Sequence, residues 1–122
     1  MAPMTKFATG LQAQQAAEKH LQNKGYAILE RNYRTMAGEI DLIARLENYV
    51  VFVEVKYRKN TKYGYPREAV NVTKQKRIIN TAMQYIAEKQ LTSQDFRFDV
   101  IEVLADEQLM KIMHIENAFD GY

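Results

Sequence analysis

The chain has 122 residues, no cysteine and a formal net charge of +2, which excludes disulfides, cysteine-based zinc sites and cysteine nucleophiles. A hydrophobic fraction of 47% beside 26% charged residues suits one folded domain with a single core, taken here as 1–122. No apolar run approaches the roughly 20 residues that span a bilayer, and the N-terminal MAPMTKFATG lacks a signal-peptide core, so a cytoplasmic protein without a membrane partner is expected. The first element is an amphipathic helix from about Phe7 to Asn23, with Ala13, Ala16, Ala17, His20 and Leu21 on its apolar face and Gly25 as its cap. Tyr26 to Arg34 reads as a strand, and Thr35 to Gly38 as the turn out of it.

The stretch from Gly38 to Arg58, GEIDLIARLENYVVFVEVKYR, organises the rest. Period-two alternation predicts two strands. In the first, Glu39, Asp41 and Ile43 share a face, with Ile40, Leu42 and Ala44 on the other. In the second, Phe52, Glu54 and Lys56 oppose Val51, Val53 and Val55. A two-residue loop at Glu47-Asn48, or a four-residue loop from Leu46 to Tyr49, sets Asp41 opposite Glu54 and Glu39 opposite Lys56. A three-residue loop would shift that register by one. Carboxylates on strands this apolar are costly unless something pairs with them. Two facing carboxylates with a lysine further along the same face would cradle a divalent cation. The bland alternative is a charge network on a half-exposed sheet face.

Arg58 to Glu68 is a loop by composition, with Gly64 and Pro66 as punctuation. From the N-cap Thr73 to Gln90 runs a helix whose rows Ile78, Ala82, Ile86 and Ile79, Met83 face a core. Lys74 stands in line with the first row and is expected to point toward the carboxylates. Phe96 to Leu104 is a further strand, and Lys111 to Ile115 a short edge strand. The strand–helix–strand connection makes the flanking strands parallel, so the fold is α/β: a mixed sheet with flanking helices.

Basic residues concentrate from Lys56 to Arg77 (Lys56, Arg58, Lys59, Lys62, Arg67, Lys74, Lys76 and Arg77 against Glu68), interleaved with Tyr57, Tyr63 and Tyr65. Beside a carboxylate pair, this pattern suits a sugar-phosphate backbone. His20 and His114 stand alone in the sequence and are read as structural.

Asp41 followed by Glu54-Val55-Lys56 resembles the D…(D/E)xK signature of the PD-(D/E)XK nuclease superfamily. The wider run NYRTMAGEIDLIA, FVEVKYR, YGYPREAV, Lys74 and RFDVI is similar to the YraN-like bacterial family, from about Gly10 to Phe119. The resemblance implies a restriction-endonuclease-like core related to Holliday-junction resolvases. It implies Mg²⁺ or Mn²⁺ on Asp41, Glu54 and the Val55 carbonyl, Lys56 as a catalytic residue, and no organic cofactor. Hard oxygen ligands suit those ions. Phosphate contacts would fall to Arg34, Arg58, Lys59, Lys62, Arg67, Lys74 and Arg77, with Glu39 beside the site. The same family usually carries Gly-Glu where Ala13 and Gln14 stand, its glutamate reaching toward the metal. Gln14 lacks that charge, and Glu18, one turn on, is the candidate substitute.

The reading is a metal-dependent DNA endonuclease, with branched DNA and a homodimer implied by fold analogy alone. The alternative is a nucleic-acid-binding protein that keeps the fold without the activity, and Gln14 is the feature in its favour.

Overall fold

A computed structural model describes residues 10–58, 70–105 and 110–120. In chain order they form α1 (Gly10–Asn23), β1 (Ala27–Thr35), β2 (Gly38–Leu46), β3 (Tyr49–Arg58), α2 (Val72–Lys89), β4 (Asp95–Ala105) and β5 (Met110–Phe119). The strands lie in one sheet in that same order. Neighbours joined directly run antiparallel, whereas β3 and β4, joined through α2, run parallel, because a parallel pair needs a long crossover. This is the mixed α/β architecture expected from the sequence, consistent with a restriction-endonuclease-like core. Among the described residues no helix is long and apolar enough to cross a membrane.

Alternation along the central strands builds two cores. Val51, Val53, Ile101 and Val103 pack against Ala13, Ala17 and Leu21 of α1. Phe52, Phe98 and Val100 pack against Ile78, Ala82 and Tyr85 of α2. α1 ends as Gly25 predicts: Gly25 has φ 93, its N–H donates to the Gln22 carbonyl, and the Tyr26 N–H donates to Leu21. That double bond caps the last turn and folds Tyr26 back into the core.

Four details differ from the sequence reading. Asn71, not Thr73, caps α2, its side chain accepting from the Lys74 N–H at 2.8 Å. Met83 is 56% exposed, because the inward arc of α2 runs through Ile78, Thr81, Ala82 and Tyr85 at helical spacing. Ile40 packs with Ile43 on the α2 side, so strict alternation fails across Asp41. The edge strand extends to Phe119 because its pairing with β4 continues past an irregularity between Phe98 and Val100.

α2 sits close to the start of β2. A Cβ added to Gly38 would lie 3.2 Å from Thr81 Oγ1 and 3.3 Å from Arg77 Cβ. The missing side chain lets the first turns of α2 approach the carboxylate strands.

Candidate metal centre and nucleic-acid interface

The Glu47-Asn48 turn pairs Arg45 with Val50 and Ile43 with Phe52, the register of the two-residue loop. Pairing of β2 with β3 then stops at Leu42 and Val53. Just beyond, the Val55 N–H donates to Asp41 Oδ2 at 2.8 Å. A side-chain carboxylate thus takes a backbone donor where the ladder ends. β3 meanwhile stays paired to β4 as far as Arg58, which keeps Glu54 and Lys56 on a rigid strand.

Asp41 and Glu54 line one pocket of about 530 Å³, walled on the other side by Lys74, Arg77 and Ile78 of α2. Glu54 is buried and accepts an ion pair from Lys74 Nζ at 2.5 Å, so Lys74 does point into the site. Burial, followed by repulsion from Glu54, pushes the Asp41 carboxyl up to about 7 despite the Val55 N–H and Lys74. A carboxyl raised in this way by burial and a charged neighbour, and lying in a concavity, is commoner at functional sites than elsewhere.

The other expected site residues divide. Glu39 lines the same pocket and pairs with the exposed Arg34 at 3.3 Å, while the exposed Arg77 lines the pocket directly. Lys56 lies two residues beyond Glu54 on β3 and is half-buried. The Val55 N–H donates to Asp41, a bond that leaves the expected part of its carbonyl as an ion ligand unaddressed. Arg58 Nη1 lies 3.4 Å from Glu102 Oε1, so it serves as the counter-ion of a buried acid. Lys59, Lys62 and Arg67 lie outside the described residues.

Gln14 and Glu18 are the correction. They line a separate groove with Arg31 and Asn32, and Arg31 binds Glu18 through both Nε and Nη2. α1 packs on the opposite core, so neither residue joins the Asp41 pocket. Tyr33 is likewise engaged in packing: its hydroxyl donates to Glu88 at 2.8 Å and its ring meets Tyr85 edge-on.

The donor set favours a hard cation. Among the described residues no three His, Cys, Asp or Glu side chains group to hold an ion by themselves. Two carboxylates suit Mg²⁺ or Mn²⁺, which complete their coordination with water or substrate oxygens. Asp41 and Glu54 therefore fit such an ion, whereas Lys56 is not among the residues that line their pocket.

Two buried acids escaped the sequence reading. Glu102 is fully buried at the position of β4 that pairs with Lys56, and its Oε2 lacks a hydrogen-bond partner among the described residues. Asp99, also fully buried, accepts from Arg97 Nε and Nη2, from His114 Nε2 and from the Asn117 N–H. Burial alone would raise the Asp99 carboxyl, but these donors hold it below the ordinary value. His114 Nδ1 in turn stands 3.2 Å from His20 Nε2. The two histidines, read as solitary, belong to one chain of contacts linking α1, β4 and β5. Their separation of 94 positions hides this from spacing arguments. The one available signal was Arg97 and Asp99 on the same face of an apolar strand.

The model of a family described as "Uncharacterised protein family UPF0102" matches residues 13–103. A UPF0102 protein of Lachnoclostridium phytofermentans is 48% identical over 120 residues, 98% of each chain. One from Clostridium acetobutylicum is 49% identical over 108 residues, covering 87% of this chain and 88% of its own. A third, from Caldanaerobacter subterraneus subsp. tengcongensis, is 43% identical over 122 residues, 98% of this chain and 100% of its own.

Proposed function

We propose that this chain, which belongs to the uncharacterised protein family UPF0102, is a divalent-cation-dependent DNA endonuclease of the PD-(D/E)XK type acting in the cytoplasm. The observation that carries the reading is Asp41 and Glu54 sharing one pocket with Lys74 and Arg77 on its wall. A bound Mg²⁺ or Mn²⁺ would supply Lewis acidity for phosphodiester hydrolysis. The chain's own residues do the rest. The Val55 N–H fixes the Asp41 carboxylate, and Lys56 stabilises charge on the reacting phosphate. Arg34 and Arg77 hold flanking phosphates at the rim. Branched DNA is the proposed substrate, and a homodimer would let two such sites cut two strands.

A non-catalytic nucleic-acid-binding role is the second reading. Its supporting observation is that Gln14 and Glu18 line a separate groove, so the carboxylates at the pocket are Glu39, Asp41 and Glu54, with none from α1.

Cleavage of labelled four-way junction, flap, single-stranded and duplex DNA in Mg²⁺ or Mn²⁺ tests both. The endonuclease reading expects cation-dependent products with wild type and none with Asp41→Ala. Salt-sensitive binding without products, identical in the two proteins, would support the second reading instead.

A further inference from the structure

We propose that Lys74 is a tethered counter-ion occupying Glu54 until a DNA phosphate draws it away, so that cation loading and DNA binding assist one another. The inference rests on Asp41 and Glu54 being the cation site, and it adds how that site is loaded.

The geometry is specific. Lys74 Nζ lies 2.5 Å from Glu54 Oε2, and the two side chains are 51% and 6% exposed. The ammonium therefore reaches from the pocket mouth to a carboxylate that solvent scarcely touches. Its backbone is fixed, because the Asn71 side chain caps the Lys74 N–H. Its four-carbon stem is not, so Nζ can travel between Glu54 and the mouth without moving α2. Arg77, one turn along the helix and exposed, lines the same pocket and adds a second positive charge where a phosphate would arrive.

A divalent ion and an ammonium compete for that oxygen. Both need the Glu54 carboxylate, and at contact distance in a half-buried pocket their repulsion is weakly screened. An incoming cation must displace Lys74 into water, which weakens its binding to the free protein. A phosphate at the mouth offers the displaced ammonium a new partner and removes that cost. By thermodynamic reciprocity, DNA then raises cation affinity by the same factor as the cation raises DNA affinity.

Mn²⁺ titrated calorimetrically into metal-free wild type, Lys74→Met, Lys74→Arg, Lys76→Met and Asp41→Asn tests this without turnover. Lys74→Met should bind Mn²⁺ about tenfold tighter than wild type, a coupling of ordinary size. Lys74→Arg, which keeps the cation, and Lys76→Met, which removes an exposed charge outside the pocket, should match wild type. A hydrolysis-resistant phosphorothioate duplex should tighten Mn²⁺ binding to wild type and scarcely change it for Lys74→Met. Equal or weaker Mn²⁺ binding by Lys74→Met, or an equal gain in Lys76→Met, overturns the counter-ion role. If those results accompany Asp41-dependent Mn²⁺ binding, the cation site itself stands. If no protein binds Mn²⁺ saturably with or without the duplex, the cation-site reading falls and the counter-ion role with it.

Discussion

Asp41→Asn is expected to abolish Mn²⁺ binding and lower cleavage about a thousandfold or more, while making the metal-free protein more stable at pH 8. The two effects share one cause. In the folded, metal-free chain the Asp41 carboxyl titrates near 7, against 3.8 for the ordinary group, chiefly because it is buried and then because Glu54 repels its charge. A group whose folded value is raised favours folding fully below its unfolded value and loses that contribution as pH rises through the folded one. Wild type in chelator should therefore lose stability between about pH 4 and pH 7. Asparagine keeps an oxygen for the Val55 N–H but carries no charge to bury, so its unfolding midpoint should change less over that interval. Mn²⁺ should restore wild type at pH 8 and leave the variant unmoved. Thermal unfolding at pH 5 and 8, with chelator and with Mn²⁺, measures all of this. A variant less stable than wild type in chelator at pH 8 would show that the hydrogen bond to Val55 outweighs the burial of charge.

The largest loss of stability is expected far from the cation pocket, from Asp99→Ala. Asp99 is fully buried and accepts from Arg97 Nε and Nη2, from the His114 ring and from the Asn117 N–H. Removing it leaves the mostly buried Arg97 with the Tyr26 hydroxyl at 2.6 Å and Glu116 at 3.9 Å. Breaking a buried ion pair from one side costs about 3–5 kcal/mol, a large share of the roughly 5–15 kcal/mol that holds a domain together. Urea unfolding of the variant should show that loss, and a change within experimental error would mean that water replaces the carboxylate. The same network makes the fold sensitive to acid. The folded Asp99 carboxyl lies below its ordinary 3.8, so its contribution is present above that value and lost as pH falls through the folded one. His20 is held below 6.5, first by burial and then by His114 and Lys24. Its contribution is complete above 6.5 and declines as pH falls toward its folded value.

Much of this molecule was legible because its strands alternate and its turns are short. Val51, Phe52 and Val53 assign their own faces, and the Glu47-Asn48 turn leaves one register that keeps them buried. Gly25 and the apolar rows of α2 marked two helix boundaries to within a few residues. The resemblance to the YraN-like family agreed with the match to UPF0102. What local pattern did not supply were contacts made across the fold. Gln14 and Glu18 lie on a helix whose alanine face chose the other side of the sheet, and sequence offers no means of telling which side a helix will cover. Ile40 departs from its alternation where the β2–β3 pairing ends, next to the Asp41 carboxylate that accepts the Val55 N–H. The chain from Asp99 through His114 to His20 joins residues from three elements, so its members looked solitary until the sheet closed.

The most direct measurement is a crystal soaked in Mn²⁺ with diffraction collected at the manganese edge. One anomalous peak is expected between the Asp41 and Glu54 carboxylates, with Lys74 Nζ withdrawn from Glu54 toward the pocket mouth. Saturating Mn²⁺ that leaves the pocket without a peak and the Lys74–Glu54 contact intact would contradict it.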